Sequence, residues 1–61
     1  MRDALGNTIK VGDYVGWKQD IEISGTVVQI HNNGMLTVNV WDSIVGELVP
    51  TNVEARRTTI E

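Results

Sequence analysis

The sequence predicts an all-β protein, a small five-stranded antiparallel barrel that occupies residues 1–61 as a single domain. Two runs of alternating apolar residues flank Asn32-Asn33-Gly34, a pattern typical of a β-hairpin. The other apolar segments are short and are separated by turn-forming residues, and none has the periodicity of a long amphipathic helix. A chain of 61 residues is near the lower limit for a self-sufficient core, and a barrel lets short strands share one core economically.

Residues 1–10 are predicted to form an N-terminal arm that folds onto the barrel. Gly6-Asn7 marks a turn in this arm, and Thr8–Val11 forms a short extended piece. Leu5 and Ile9 are the side chains expected to anchor it. Gly12-Asp13 then gives the next turn.

The first long strand is predicted at Tyr14–Lys18, with Val15 and Trp17 on one face. A loop follows at Gln19–Ser24, and two interpretations of it remain open. Its isoleucines cap one end of the barrel, or its acidic residues form a rim for a basic partner.

The loop length of the central hairpin decides which residues face the core. A two-residue loop would place apolar residues of the first run opposite polar residues of the second. A three-residue loop, Asn32-Asn33-Gly34, closed by its glycine in the left-handed conformation, instead pairs Val28 with Val38 and Ile30 with Leu36. The hairpin is therefore predicted to have the three-residue loop.

In this register Gly25 lies opposite Trp41, and two positions of the indole remain open. It packs over the glycine and closes the barrel, or it faces outward. In the second case Trp41, Val27 and Met35 form an apolar outer face that Tyr14 extends.

The C-terminal third is predicted to contain a fourth strand at Ile44–Val49, in which Gly46 marks a bulge. Pro50–Val53 is expected to form a one-turn 3₁₀ helix, Glu54–Arg57 a last short strand, and Thr58–Glu61 a frayed tail. The predicted core consists of Val15, Trp17, Val28, Ile30, Leu36, Val38, Val40, Leu48 and Val53.

Composition narrows the classes of function. Five Lys and Arg residues against eight Asp and Glu give a formal net charge of -3, which does not favour phosphate-backbone binding. Cysteine is absent, so there is no disulfide scaffold, thiolate metal site or cysteine nucleophile, and the lone His31 rules out a histidine metal cluster. No apolar run reaches the length of a membrane span, and residues 1–6 lack a signal-peptide core, so we expect a soluble cytoplasmic protein.

The spacing of the polar residues predicts no catalytic, cofactor or metal site. The acidic residues have no spacing typical of paired acid-base chemistry or of calcium ligation, and neither Ser24 nor Ser43 has a local base. No glycine-rich phosphate loop is present. A chain of this size also leaves little apolar area for both a core and a deep pocket, so an enzyme is not expected.

Two stretches resemble the SH3-like family. Gly46–Val53 resembles the end of SH3-like domains, where a glycine-rich turn leads into a Leu/Val-Pro-Ser-Asn sequence and a one-turn 3₁₀ helix before the last strand. Val11–Trp17, followed after a loop by Gly25–Val28, resembles the first strands of Tudor-like and KOW-like barrels. The resemblance implies an SH3-like barrel, and the small size and opening residues resemble short uncharacterised bacterial or phage proteins of this fold.

The departures from these families bear on function. Polyproline-binding members carry an aromatic-rich stretch and a tyrosine after the Pro-Ser-Asn turn, whereas here Val53 follows Asn52 and Phe is absent. Tudor-like members hold a methylated cation in an aromatic cage, for which this chain has only Tyr14, Trp17 and Trp41. KOW-like members contact RNA or the transcription and translation machinery.

We therefore expect a non-enzymatic protein-protein interaction module, or a small accessory or regulatory subunit, with no cofactor. Its predicted partner-binding residues are Trp41, Val27, Met35, Tyr14, Asp20 and Glu22, and its partner is a protein with basic character. The alternative is a KOW-like module that binds nucleic acid or its machinery through Lys18, Arg56 and Arg57. Self-association into a homo-oligomer is a third hypothesis, because so small a core gains stability from a partner chain.

Overall fold

The protein forms one antiparallel β-sheet, seen in a computed structural model that describes all 61 residues. The strand order is β4-β3-β2-β1-β5. A single 3₁₀ turn at Ala55–Arg57 separates β4 from β5. The strands are β1 Tyr14–Lys18, β2 Glu22–Ile30, β3 Met35–Asp42, β4 Glu47–Glu54 and β5 Thr59–Ile60. The predicted fold class, all-β with five antiparallel strands and a one-turn 3₁₀ helix before the last, is confirmed.

The β2–β3 hairpin has the predicted three-residue loop. Gly34 adopts a φ of +84°, which a residue with a Cβ rarely adopts, and Ile30 pairs with Leu36. Farther from the turn, between Val27 and Gln29, the register shifts by one residue, because Val28 is the extra residue of a β-bulge.

The bulge overturns the predicted pairing beyond it. Val27, not Val28, lies opposite Val38, and Gly25 lies opposite Val40 rather than Trp41. A one-residue shift exchanges the faces of a strand, so Val27 is fully buried, whereas Val28 is 41% exposed.

The core is built from the inward residues of β1 to β4, together with one residue each from the N-terminal arm and the 3₁₀ turn. Its buried members are Ile9, Val15, Trp17, Val27, Leu36, Val38, Val53 and Ala55. Ile30 and Val40, also predicted for the core, are partly buried against it. Val28 and Leu48 were wrongly predicted for the core, and Leu48 is exposed because it pairs with Trp41 on the outer face.

The C-terminal boundaries differ from the prediction. The predicted strand Ile44–Val49 gives way to a longer β4 that continues through Pro50. The 3₁₀ turn lies at Ala55–Arg57, where a strand was predicted, and not at Pro50–Val53. A proline is tolerated within β4 because this strand is at the edge of the sheet.

The tail expected to fray is part of the sheet. Ile60 pairs with Val15 and Thr59 pairs with Gly16. Thr58 is completely buried, and its hydroxyl donates a hydrogen bond of 2.7 Å to the carbonyl of Ala55.

Asp3 fastens the N-terminal arm to β5. Its buried carboxylate accepts hydrogen bonds from the backbone N–H groups of Leu5 at 3.0 Å, Asn7 at 2.8 Å and Ile60 at 3.0 Å. The N–H of Ile60 is the main cause that lowers the pKa of this carboxyl, and desolvation opposes it. Of the two predicted anchors, Ile9 is buried, but Leu5 is exposed because this arm is held by a polar contact.

Candidate functional site

The turn between β3 and β4 is fixed by Asp42. Its carboxylate Oδ1 accepts hydrogen bonds from the N–H of Ile44 at 2.9 Å and of Val45 at 3.2 Å. Its carbonyl accepts a third from the N–H of Gly46 at 2.7 Å, and Gly46 closes the turn with a φ of +77°. Gly46 therefore shapes a turn, and its predicted role as a bulge within a strand was wrong.

Large apolar side chains project from this turn and from the strand ends that flank it. Ile44 is 95% exposed, and Val45, Trp41 and Leu48 are each more than half exposed. Trp41 and Leu48 are cross-strand partners and therefore share one face of the hairpin. We call these four residues, Trp41, Ile44, Val45 and Leu48, the hairpin-end surface.

The fold does not require apolar residues in this turn. Turns are normally built from Gly, Pro, Asn, Asp and Ser, and Asp42, Ser43 and Gly46 supply that chemistry here. Ile44 and Val45 contribute nothing to the buried core. Large exposed apolar residues grouped at one end of a sheet make this end a candidate interaction site.

Acidic residues surround this end of the sheet. The antiparallel order places the β1–β2 turn and the β3–β4 turn at the same end, where β2 begins. Segments 18–22 and 42–47 together contain four carboxylates and one lysine, a net charge of -3 that equals the formal charge of the chain. The acidic residues are Asp20, Glu22, Asp42 and Glu47.

The predicted partner-binding residues do not form one surface. Of the two predicted positions of the Trp41 indole, the outward one is observed, because Trp41 is exposed. The alternative, in which the indole packs over Gly25, was wrong, and Gly25 lies opposite Val40. Asp20 and Glu22 are exposed at the same end of the sheet as Trp41. Val27 is buried in the core because of the bulge and is therefore unavailable to a partner.

Tyr14 and Met35 lie away from the hairpin-end surface. Met35 is half-buried at the start of β3, and Tyr14 is exposed at the start of β1. Both positions are at the opposite ends of their strands from the turns described above. The outer hairpin face is therefore split, with its most exposed apolar part at the β3–β4 turn.

The three basic residues of the alternative prediction are all exposed. Lys18 pairs in register with Glu22 across β1 and β2. Arg56 forms an ion pair of 2.9 Å with Glu54. Arg57 follows it in the 3₁₀ turn.

Sequence reasoning missed Ile44 and Val45 because it assigned them to a strand. The signal that identifies them is the spacing of the turn residues, because two residues separate Asp42-Ser43 from Gly46. A glycine with positive φ at that spacing closes a four-residue turn, which exposes the two residues between.

A depression elsewhere on the molecule is lined by seven residues, two of them hydrophobic. It has a volume of about 310 Å³ and lies between the N-terminal arm, the β2–β3 turn and the 3₁₀ turn. Its charged side chains already have partners, since Arg2 donates to the carbonyl of Gly6 at 2.6 Å and Arg56 pairs with Glu54. No group of three or more His, Asp or Glu residues is placed to hold a metal ion.

Comparisons of the chain with protein-family models, with curated proteins and with solved structures gave no match. The fold contains no helix long and apolar enough to cross a membrane. The hairpin-end surface and the charges around it are the features of the molecule that bear on its function.

Proposed function

We propose that this protein is a non-enzymatic protein-protein interaction module, acting alone or as a small accessory or regulatory subunit. The observation that carries the proposal is the exposure of Ile44 and Val45 at the tip of a turn that the fold would build from polar residues. Burying one such side chain in an interface contributes about 1.5–3 kcal/mol, which gives this surface the means to bind.

The turn is prepared for binding by its own hydrogen bonds. Asp42 holds the backbone of Ile44 and Val45 in one conformation before any partner arrives. The entropic cost of ordering this loop when a partner binds is therefore small.

The charge at this end of the sheet supports a basic partner. Four carboxylates and one lysine around the two turns attract a protein with lysine and arginine residues and speed its encounter with the hairpin-end surface. The same charge repels an anionic phosphate backbone, so it gives no support to nucleic-acid binding at this end.

The SH3-like assignment belongs to the proposal. Five antiparallel strands with a 3₁₀ turn before the last support it, although the turn lies at Ala55–Arg57 and the Pro50–Val53 segment that carried the resemblance is strand. Fold alone does not assign function, so the hairpin-end surface carries the argument. A cytoplasmic location, in a bacterium or in a phage-infected host, is likewise proposed, in line with the absence of cysteine.

The nucleic-acid alternative makes a different prediction. It requires Lys18, Arg56 and Arg57 to contact phosphates, so binding would weaken steeply with salt and would not depend on the hairpin-end surface. Arg56 forms an exposed ion pair with Glu54, a weak contact that a phosphate can replace.

The test is an affinity capture from lysate of the source organism, with and without nuclease and at low and high salt. The bait is the wild type, the double variant Ile44→Ser/Val45→Ser, or Leu5→Ser. Leu5 is the matched control because it is 73% exposed but lies in the N-terminal arm. We expect a nuclease-resistant protein partner whose affinity falls at least tenfold in the double variant and is unchanged in Leu5→Ser.

Two results contradict the proposal. Equal capture by the double variant and the wild type would remove the hairpin-end surface from the interaction. Recovery of nucleic acid alone, lost at high salt, would favour the KOW-like alternative.

A further inference from the structure

The open edge of β4 has a defined set of unpaired backbone groups. β4 is at the end of the strand order and pairs only with β3. The β3–β4 ladder has one continuous register, in which Gly34 would lie opposite Ala55, and the N–H of Ala55 does donate to the carbonyl of Gly34 at 2.9 Å. In an antiparallel ladder, residues that bond to the neighbouring strand alternate with residues whose N–H and C=O groups point the other way. Because Ala55 bonds to Gly34, the residue before β3, the residues at every second position starting from Glu54 point away from β3. These residues are Leu48, Pro50, Asn52 and Glu54.

Pro50 occupies an outward position in this pattern. Its missing N–H removes no bond from the β3–β4 ladder, which explains why β4 continues through a proline. The N–H groups of Leu48, Asn52 and Glu54 and all four outward carbonyls remain open along the edge.

We propose that the open edge of β4 binds an extended, basic segment of the partner protein by strand addition. The inference rests on the proposed interaction function and specifies the form of its partner. Outward backbone groups supply the hydrogen bonds of such a complex, while flanking side chains select the sequence. Leu48 belongs both to the open edge and to the hairpin-end surface, so an added strand continues directly into that surface.

Charge and proline placement argue for a different chain rather than a second copy. Each copy carries a net charge of -3, and the β3–β4 turn end of the strand bears Asp42 and Glu47. Antiparallel pairing of two β4 edges would also bring two prolines into one ladder, which removes two of its donors. A segment with lysine or arginine near Glu47 and a β-branched residue beside Leu48 avoids the charge repulsion, and its ladder with β4 lacks only the single donor of Pro50.

The test uses a library of random dodecapeptides displayed on phage, selected on the wild-type protein, followed by affinity measurements with synthetic copies of the peptides recovered. The diagnostic variant is Asn52→Pro, which removes an outward N–H that the fold does not use. Asn52→Ala is its matched control, because it removes the same side chain, including the bond of 2.9 Å from the Thr37 hydroxyl, and keeps the N–H.

We expect peptides enriched in basic and β-branched residues whose affinity falls at least tenfold for Asn52→Pro and stays within twofold for Asn52→Ala. Methylation of alternate backbone nitrogens in the peptide should abolish binding, and this tests the edge independently if Asn52→Pro does not fold.

Several outcomes overturn strand addition. They are recovery of no specific peptide, equal binding to Asn52→Pro and wild type, or a dimer of the wild type in sedimentation that Asn52→Pro abolishes. Peptides that bind Asn52→Pro as tightly as wild type but lose affinity for Ile44→Ser/Val45→Ser would support the interaction function and contradict strand addition. Peptides with the reverse behaviour would support the edge and contradict the hairpin-end surface.

Discussion

Gly25 in β2 lies against β3 with no room for a side chain. A Cβ at this position would overlap the backbone carbonyl oxygen of Asn39 and lie 2.7 Å from Cγ1 of Val38. Two of the three nearest atoms belong to the backbone of β3, a central strand that cannot shift without disturbing its neighbours. Gly16 differs, because a Cβ there would meet mainly the side chain of Glu61.

We expect Gly25→Ala to lower the free energy of unfolding by about 2–3 kcal/mol, since overpacking at this contact must displace β3. Gly16→Ala is the matched control. Displacement of a flexible side chain is offset there by the backbone entropy that alanine saves, so its effect should be below about 1 kcal/mol. Urea denaturation of both variants measures the difference, and equal losses would show that the close approach at Gly25 is not rigid.

The valine pair Val27-Val28 shows where sequence reasoning at the residue scale ends. Alternation and the turn correctly predicted Gly34 and the pair of Ile30 with Leu36. A bulge adds one residue without any change in composition, so either valine satisfies the hydrophobic pattern. The choice is made by packing against Val38, which the sequence of β2 does not contain.

Among the elements, the β3–β4 turn owes its shape to one side chain. Asp42 accepts both backbone N–H groups of the exposed pair Ile44 and Val45. A carboxylate is not needed for this geometry, because an amide oxygen accepts in the same place. Charge and turn structure are therefore separable at this position.

We expect Asp42→Ala to lower the free energy of unfolding by about 1 kcal/mol, because two turn hydrogen bonds are lost. Asp42→Asn should cost about half a kcal/mol or less, since its Oδ1 keeps both bonds. Amide hydrogen exchange at Ile44 and Val45 should accelerate in Asp42→Ala and remain near wild type in Asp42→Asn. Similar exchange in the two variants would mean that the side chain does not order the turn.

Elements with local signals were predictable, and those that depend on the sheet were not. β1 was predicted with its observed bounds, because Gly12-Asp13 and the alternation of Val15 and Trp17 are contained within a few residues. β4 was not, because a proline ends a central strand but not an edge strand. Which strand lies at the edge is a property of the whole sheet. The exposed pair Ile44 and Val45 was missed for the related reason that apolar β-branched residues favour a strand assignment.

At the scale of the whole molecule, the carboxylate of Asp3 joins the two ends of the chain through its bond with the N–H of Ile60. Its folded pKa is lowered, so its contribution to stability is present above the ordinary aspartate pKa of about 3.9 and is lost as the pH falls through the folded value. Asparagine retains one acceptor oxygen and turns its amino group toward donors that need an acceptor.

We expect Asp3→Asn to lower the thermal midpoint at pH 7, and the gap between variant and wild type to narrow as the pH falls below about 4. Asp13→Asn controls for the loss of one negative charge near the arm. Thermal denaturation from pH 2 to pH 7 measures both. A gap that stays constant over this range would show that the carboxylate charge is not the source of the stability.

The role of Asp3 was not visible in the sequence for two reasons. One of its donors is 57 residues away, and all of its donors are backbone N–H groups except the side-chain amide of Asn7. The same contact has a consequence for protein engineering. Residues 3 and 60 are held together at the β5 edge of the sheet, and β4 forms the other edge. The N-terminal and C-terminal segments of the fold therefore lie at adjacent points. A short linker across these points would permit circular permutation, and a host polypeptide could carry the domain as an insertion within one of its loops. In either arrangement the β3–β4 turn and the β4 edge would project away from the junction.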